Sequence, residues 1–180
     1  AAFDEQGWRY YTGEWFENWY PGYSNYAEYR GAMHILYEQA RIAEDGIARP
    51  EGRIKTYMEG VHHQYISTFA NLTTLLNNTK AMYEDYWQDR KMLVSSKSPY
   101  ADKSFVVINT DNKSRLNLLA EKLLAQDIEV LVTTKSQTIK NATDQLGNKV
   151  ITKVPMGSLV IINRQPEARL LSAIMEFDSA

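Results

Sequence analysis

The chain contains three histidines, His34, His62 and His63, and no cysteine. Any metal site must therefore be assembled from imidazoles and carboxylates, because thiolate zinc sites, iron–sulfur clusters and cysteine nucleophiles are excluded. Glu59, His62 and His63 fall at i, i+3 and i+4, which on a helix places a carboxylate and two imidazoles toward one side. The same residues also read as solvated polar positions of a helix that packs through Val61, Tyr65 and Phe69, and the spacings of known zinc helices do not occur. Glu38 is a second candidate. It closes the run Met33-His-Ile-Leu-Tyr-Glu38, and a carboxylate at the mouth of a buried strand is where α/β enzymes place reactive groups. Partial desolvation there suits a general base that takes a proton from water and returns it to a leaving amine. A strand-end glutamate in a surface ion pair is the plainer alternative. Tyr20-Pro-Gly-Tyr23 is a tight turn in which Pro21 fixes φ and Gly22 supplies a positive φ in the type II form. It presents Tyr20 or Tyr23 as a phenol over a cleft, or it is pinned by ring packing.

Of 4 Trp, 12 Tyr and 5 Phe, more than half lie between Phe3 and Tyr37. Such rings stack on sugars or substrate side chains, or they fill a core. Four Asn-x-Ser/Thr triplets, at Asn71, Asn77, Asn112 and Asn141, are what chance provides in a chain rich in these residues.

The elements that must position these groups follow from periodicity, and the expected class is α/β. Residues 31–37 alternate as a strand, and residues 55–93 repeat at helical spacing, with Val61, Tyr65, Phe69, Leu72, Leu76, Tyr83 and Trp87 forming one stripe. That long helix is predicted to be interrupted near Asn77 and Asn78. Residues 95–104, Ser-Ser-Lys-Ser-Pro-Tyr-Ala-Asp-Lys-Ser, read as a linker. Beyond it, strand 105–110, helix 114–126 and strand 128–134 predict a βαβ unit with its two strands parallel and its crossover right-handed, the first strand buried on both faces. Asp111 or Asn112 caps its helix. A hairpin turning at 145–149, a strand at 158–162 and a helix opened by Pro166 complete a small α/β domain.

With 20 Lys plus Arg against 22 Asp plus Glu, the formal net charge is −2, so a basic nucleic-acid footprint is not expected. No apolar run approaches the length of a membrane span, so no membrane partner is expected either.

The segments Trp19-Tyr-Pro-Gly-Tyr23 and Gly31-Ala-Met-His-Ile-Leu-Tyr-Glu-Gln-Ala40 resemble the carboxyl-terminal part of the catalytic domain in bacterial zinc carboxypeptidases of the carboxypeptidase A type. There, a Tyr-Pro-Gly-Tyr segment precedes a strand ending in Tyr-Glu-Gln-Ala, and a long polar helix follows. Residues 155–162 and 165–171 resemble the region after the peptidase domain. The resemblance implies that Glu38 is the catalytic glutamate acting on zinc-bound water, and that Tyr20, or failing that Tyr23, closes over the terminal carboxylate of a peptide substrate. It also implies a zinc cofactor in a larger parent enzyme. The family's His-x-x-Glu zinc pair does not occur in this sequence, so the chain alone is expected to be inactive.

The resulting division is 1–94 as the end of a carboxypeptidase-like domain, 95–104 as linker and 105–180 as the small α/β domain. Such enzymes are usually exported, so a periplasmic or secreted location is implied. An unpaired sheet edge beside residues 32–38 would self-associate. The competing expectation is a non-catalytic module in which the rings of residues 8–29 line a groove for carbohydrate or peptide, or in which the later domain is a scaffold.

Overall fold

The computed structural model describes residues 2–11, 25–37 and 46–176. In chain order these form α1 (Ala2–Glu5), α2 (Asn25–Tyr29), β1 (Ile47–Ala48), β2 (Ile54–Lys55), α3 (Tyr57–Leu93), β3 (Ser104–Val107), α4 (Lys113–Leu124), β4 (Leu131–Val132), β5 (Gln137–Thr143), β6 (Lys149–Val154), β7 (Leu159–Ile162) and α5 (Ala168–Met175). Helices and antiparallel sheets together make a mixed α/β protein. Two compact units are present: Ala1–Pro21 with Met33–Asp85, and Gly22–Ala32 with Tyr86–Ala180.

In the first unit, β1 and β2 pair antiparallel and lead into α3. Thr56 starts that helix through a reciprocal capping box. Its amide donates to Glu59 Oε2 at 2.9 Å, and the Glu59 amide donates to Thr56 Oγ1 at 3.2 Å, satisfying two donors that the first turn would leave orphaned. The helix then runs without the break expected at Asn77 and Asn78. The polar side chains there bond back to the helix itself. Asn78 Nδ2 donates to the Thr74 carbonyl at 2.8 Å and Thr79 Oγ1 to that of Leu75 at 2.6 Å, so neither draws the backbone out of register.

Residues 32–37 are not a strand. Their alternation is real, but a strand exists only through a paired neighbour, and no sheet among the described residues includes this segment. Met33 and Ile35 are accordingly exposed.

The second unit is built around the sheet β3–β7–β4, antiparallel at both junctions. The two strands flanking α4 thus run parallel, as expected from sequence, with β7 inserted between them in a split βαβ arrangement. The most apolar strand, Leu159-Val-Ile-Ile162, takes the centre, where both its edges are hydrogen-bonded and its side chains are shielded best. Leu159 and Ile161 face Leu123 and Ile128 together with Leu170 and Leu171 of α5, and Phe105 and Val107 pack against the same core. Each such buried side chain stabilises the fold by roughly 1.5–3 kcal/mol. The sheet is covered on that face alone. Leu131 and Ile162, on the other face, stay exposed, and β3 is an edge strand whose Phe105, Val106 and Val107 are all half-buried, not one buried on both faces. Asn112 caps α4, accepting from the Arg115 amide at 3.1 Å. The hairpin expected near 145–149 is present as β5–β6.

Candidate functional site

Glu38, Tyr20 and Tyr23 lie outside the described residues, as do Trp15 and Trp19. The segment leading to Glu38 is described up to Tyr37, whose hydroxyl donates to Asn71 Oδ1 on α3 at 2.9 Å. That bond ties Tyr37 to the long helix.

Glu59, His62 and His63 do meet on the first turns of α3, but each is occupied. The Glu59 carboxylate accepts from the Thr56 amide and pairs with Arg53. Those bonds hold its carboxyl below the usual carboxylate range, the Thr56 amide most strongly. Trp8 lies against both imidazoles, with its ring centroid 4.0 Å from that of His63 and 5.3 Å from that of His62, and Phe3 packs beside it at 5.6 Å. Burial in this ring cluster pushes the His63 imidazole below its ordinary value, and the positive Lys55 nearby acts in the same direction. A stacked imidazole with a depressed proton affinity is a packing residue. Among the described residues, no cluster of three or more histidines and carboxylates could hold a metal ion. Trp8 is half-buried and its neighbours are tilted and not coplanar, so this indole is not presented in the flat, open manner a sugar-stacking groove requires.

Among the described residues, the most buried charged cluster belongs to the second unit and was not singled out from sequence. Arg90, near the end of α3, meets Glu167 at the start of α5 at 3.1 Å, and the two side chains are only 11% and 8% exposed. The Arg90 guanidinium also donates to the carbonyls of Pro166 and Arg30 and lies 5.1 Å from the Tyr86 ring centroid. Arg30 approaches the same glutamate at 3.7 Å and pairs with Asp127 at 2.6 Å, and chiefly through Asp127 its guanidinium is held protonated. One buried carboxylate thus gathers two arginines from α3 and from the residue after α2. Such a pair costs desolvation energy that its attraction must offset, and it is strongly destabilising when one partner is removed. Its chemistry is that of a clamp between helices. The sequence did hold one signal, a charged Arg90 at i+3 and i+7 from Trp87 and Tyr83 within an apolar stripe.

Gly31 makes the clamp geometrically feasible. It ends α2 in a Schellman turn, with its amide on the Glu28 carbonyl at 2.8 Å and the Ala32 amide on that of Ala27 at 2.9 Å. Its φ is +87°, and a Cβ there would sit 3.0 Å from the Tyr86 ring.

No family model, curated protein or solved structure matches the chain.

Proposed function

We propose that this chain contributes the general-base and substrate-closing segment of a zinc carboxypeptidase of the carboxypeptidase A type, followed by a small α/β domain. The observation that carries this reading is the order Tyr20-Pro-Gly-Tyr23, Gly31-Ala32, Tyr37-Glu-Gln-Ala40 ahead of one long helix. Glu38 takes a proton from the attacking water and returns it to the leaving amine, which requires one carboxylate to act as base and then as acid. Tyr20, or failing that Tyr23, closes its phenol over the substrate's terminal carboxylate. The described residues do not supply a zinc site, since Glu59, His62 and His63 are spent on capping and ring packing. In this reading, zinc is held by ligands elsewhere in a larger parent, and the chain alone does not turn over peptides.

The apolar surface of the first unit supports the reading physically. Met33 is 68% exposed, Ile35 is also exposed, and the stripe of α3 from Met58 through Val61, Tyr65, Phe69, Leu72 and Leu76 to Tyr83 faces water. A run of that length marks a surface built to be covered, as the remainder of a catalytic domain would cover it.

The test is zinc content and carboxypeptidase turnover of the full-length parent, native and as Glu38→Gln. The substitution keeps the shape and removes the base, so turnover should fall by at least about a hundredfold with zinc retained. A parent that binds no zinc, or a variant with unchanged turnover, overturns the assignment.

A further inference from the structure

The β5–β6 hairpin has two unlike faces. Ile139, Ala142, Val150, Thr152 and Val154 are half-buried or buried, whereas the residues between them are open to water. Thr138 pairs with Lys153 and Thr143 with Lys149, across from the inward pairs Ile139 with Thr152 and Ala142 with Val150. The outward face therefore carries Lys140, Lys149 and Lys153. Between residues 133 and 155 there is one acid, Asp144. Its carboxylate is consumed in building the turn, accepting from the amides of Leu146 and Asn148 at 2.9 Å each and from Asn148 Nδ2 at 3.2 Å. None of the three lysines has an acidic partner among the described residues. Two large apolar side chains stand among these charges, Leu146 at the tip, 80% exposed, and Ile151 on the lysine face, 73% exposed. The overall charge of −2 conceals this local excess of cation.

We propose that the tip and outward face of this hairpin bind an anionic lipid surface, with Lys140, Lys149 and Lys153 against the headgroups and Leu146 and Ile151 inserted at the acyl boundary. Lysines alone would suit an acidic peptide equally well. The exposed leucine at the foremost point of a turn held by three hydrogen bonds favours a bilayer, because an apolar tip beside cations matches an interface that is anionic outside and apolar within. The absence of a spanning apolar run does not bear on such peripheral binding, and the surface is independent of the peptidase reading.

Co-sedimentation of the full chain with vesicles of equimolar phosphatidylcholine and phosphatidylglycerol tests this directly. The Lys140→Gln, Lys149→Gln, Lys153→Gln triple variant should bind about a hundredfold more weakly, at about fivefold per lysine. Native binding should weaken with added salt and be lost on pure phosphatidylcholine. Leu146→Ser with Ile151→Ser should weaken binding while leaving its salt dependence in place. All five side chains are exposed, so the variants should fold as the parent does, checked by circular dichroism. Equal binding to neutral and anionic vesicles, or an unaffected triple variant, overturns the proposal. So does capture of polyglutamate by a chain that leaves the vesicles alone.

Discussion

An imidazole laid against an indole loses hydration that its charged form needs, and at His63 this favours the neutral form. Its folded value lies below the ordinary 6.5, through burial first and the nearby Lys55 second, with Glu59 opposing and His62 and Arg53 assisting. The unfolded chain thus binds the proton more readily. The stability held by neutral His63 is complete above about pH 6.5 and is lost as the pH falls from there toward the folded value. Glu59 is shifted below its own ordinary value of 4.5, so its effect begins only at more acid pH. Denaturant melts at about pH 7.5 and about pH 5.5 should show lower stability at the acid value, and His63→Phe, which keeps a ring against Trp8, should flatten that difference. An equal slope in native and variant protein would refute the account. The spacing of Glu59, His62 and His63 was legible in the sequence, but their role was not. It depends on Trp8, more than fifty positions away, which no local pattern connects to them.

Between elements, the decisive interaction is the buried Arg90–Glu167 pair, which fastens α3 to α5 and, through the Arg30 carbonyl, holds the end of α2. Removing one partner of a buried pair leaves a charge without compensation. Arg90 would keep two carbonyls and the Tyr86 ring after Glu167→Ala, so the expected cost is about 2–3 kcal/mol, toward the low end for such losses. Arg90→Met combined with Glu167→Leu should recover much of it, because the desolvation penalty disappears with both charges. Urea unfolding of the two singles and the double measures this. A double variant as unstable as the sum of the singles would show that the pair contributes no coupling. Elements whose signals are local were readable in advance: α4 with its Asn112 cap, the β5–β6 turn, and β7 as an apolar run. What could not be read was pairing. The insertion of β7 between β3 and β4, and the lack among the described residues of a strand pairing for 32–37, are decided by which strands meet across long sequence separations, and apolar alternation carries no information about that.

For the molecule as a whole, the informative feature is an inversion on α3. The stripe read from sequence as core-facing is exposed, with Leu76 at 76%, while the rings Trp8 and Phe3 pack against His62 and His63 at the start of the helix. Leaving so many large apolar side chains in water forgoes roughly 25 cal/mol for each Å² that a cover would bury. The isolated chain is therefore expected to associate with itself along α3 and to bind a hydrophobic dye. Sedimentation should show mass rising with concentration. Leu72→Lys with Leu76→Lys should restore a monomer and quench the dye signal, while changing stability by no more than about 0.5 kcal/mol, as for ordinary surface positions. In the larger enzyme proposed above, the same two positions should behave in the opposite manner. If the rest of the catalytic domain covers them, introducing lysines there destabilises the parent by several kcal/mol, because two charges are then buried without partners. A native chain that stays monomeric and dark to the dye, together with a parent indifferent to the lysines, would mean that the stripe has no cover, and the physical support for the peptidase reading would fall with it.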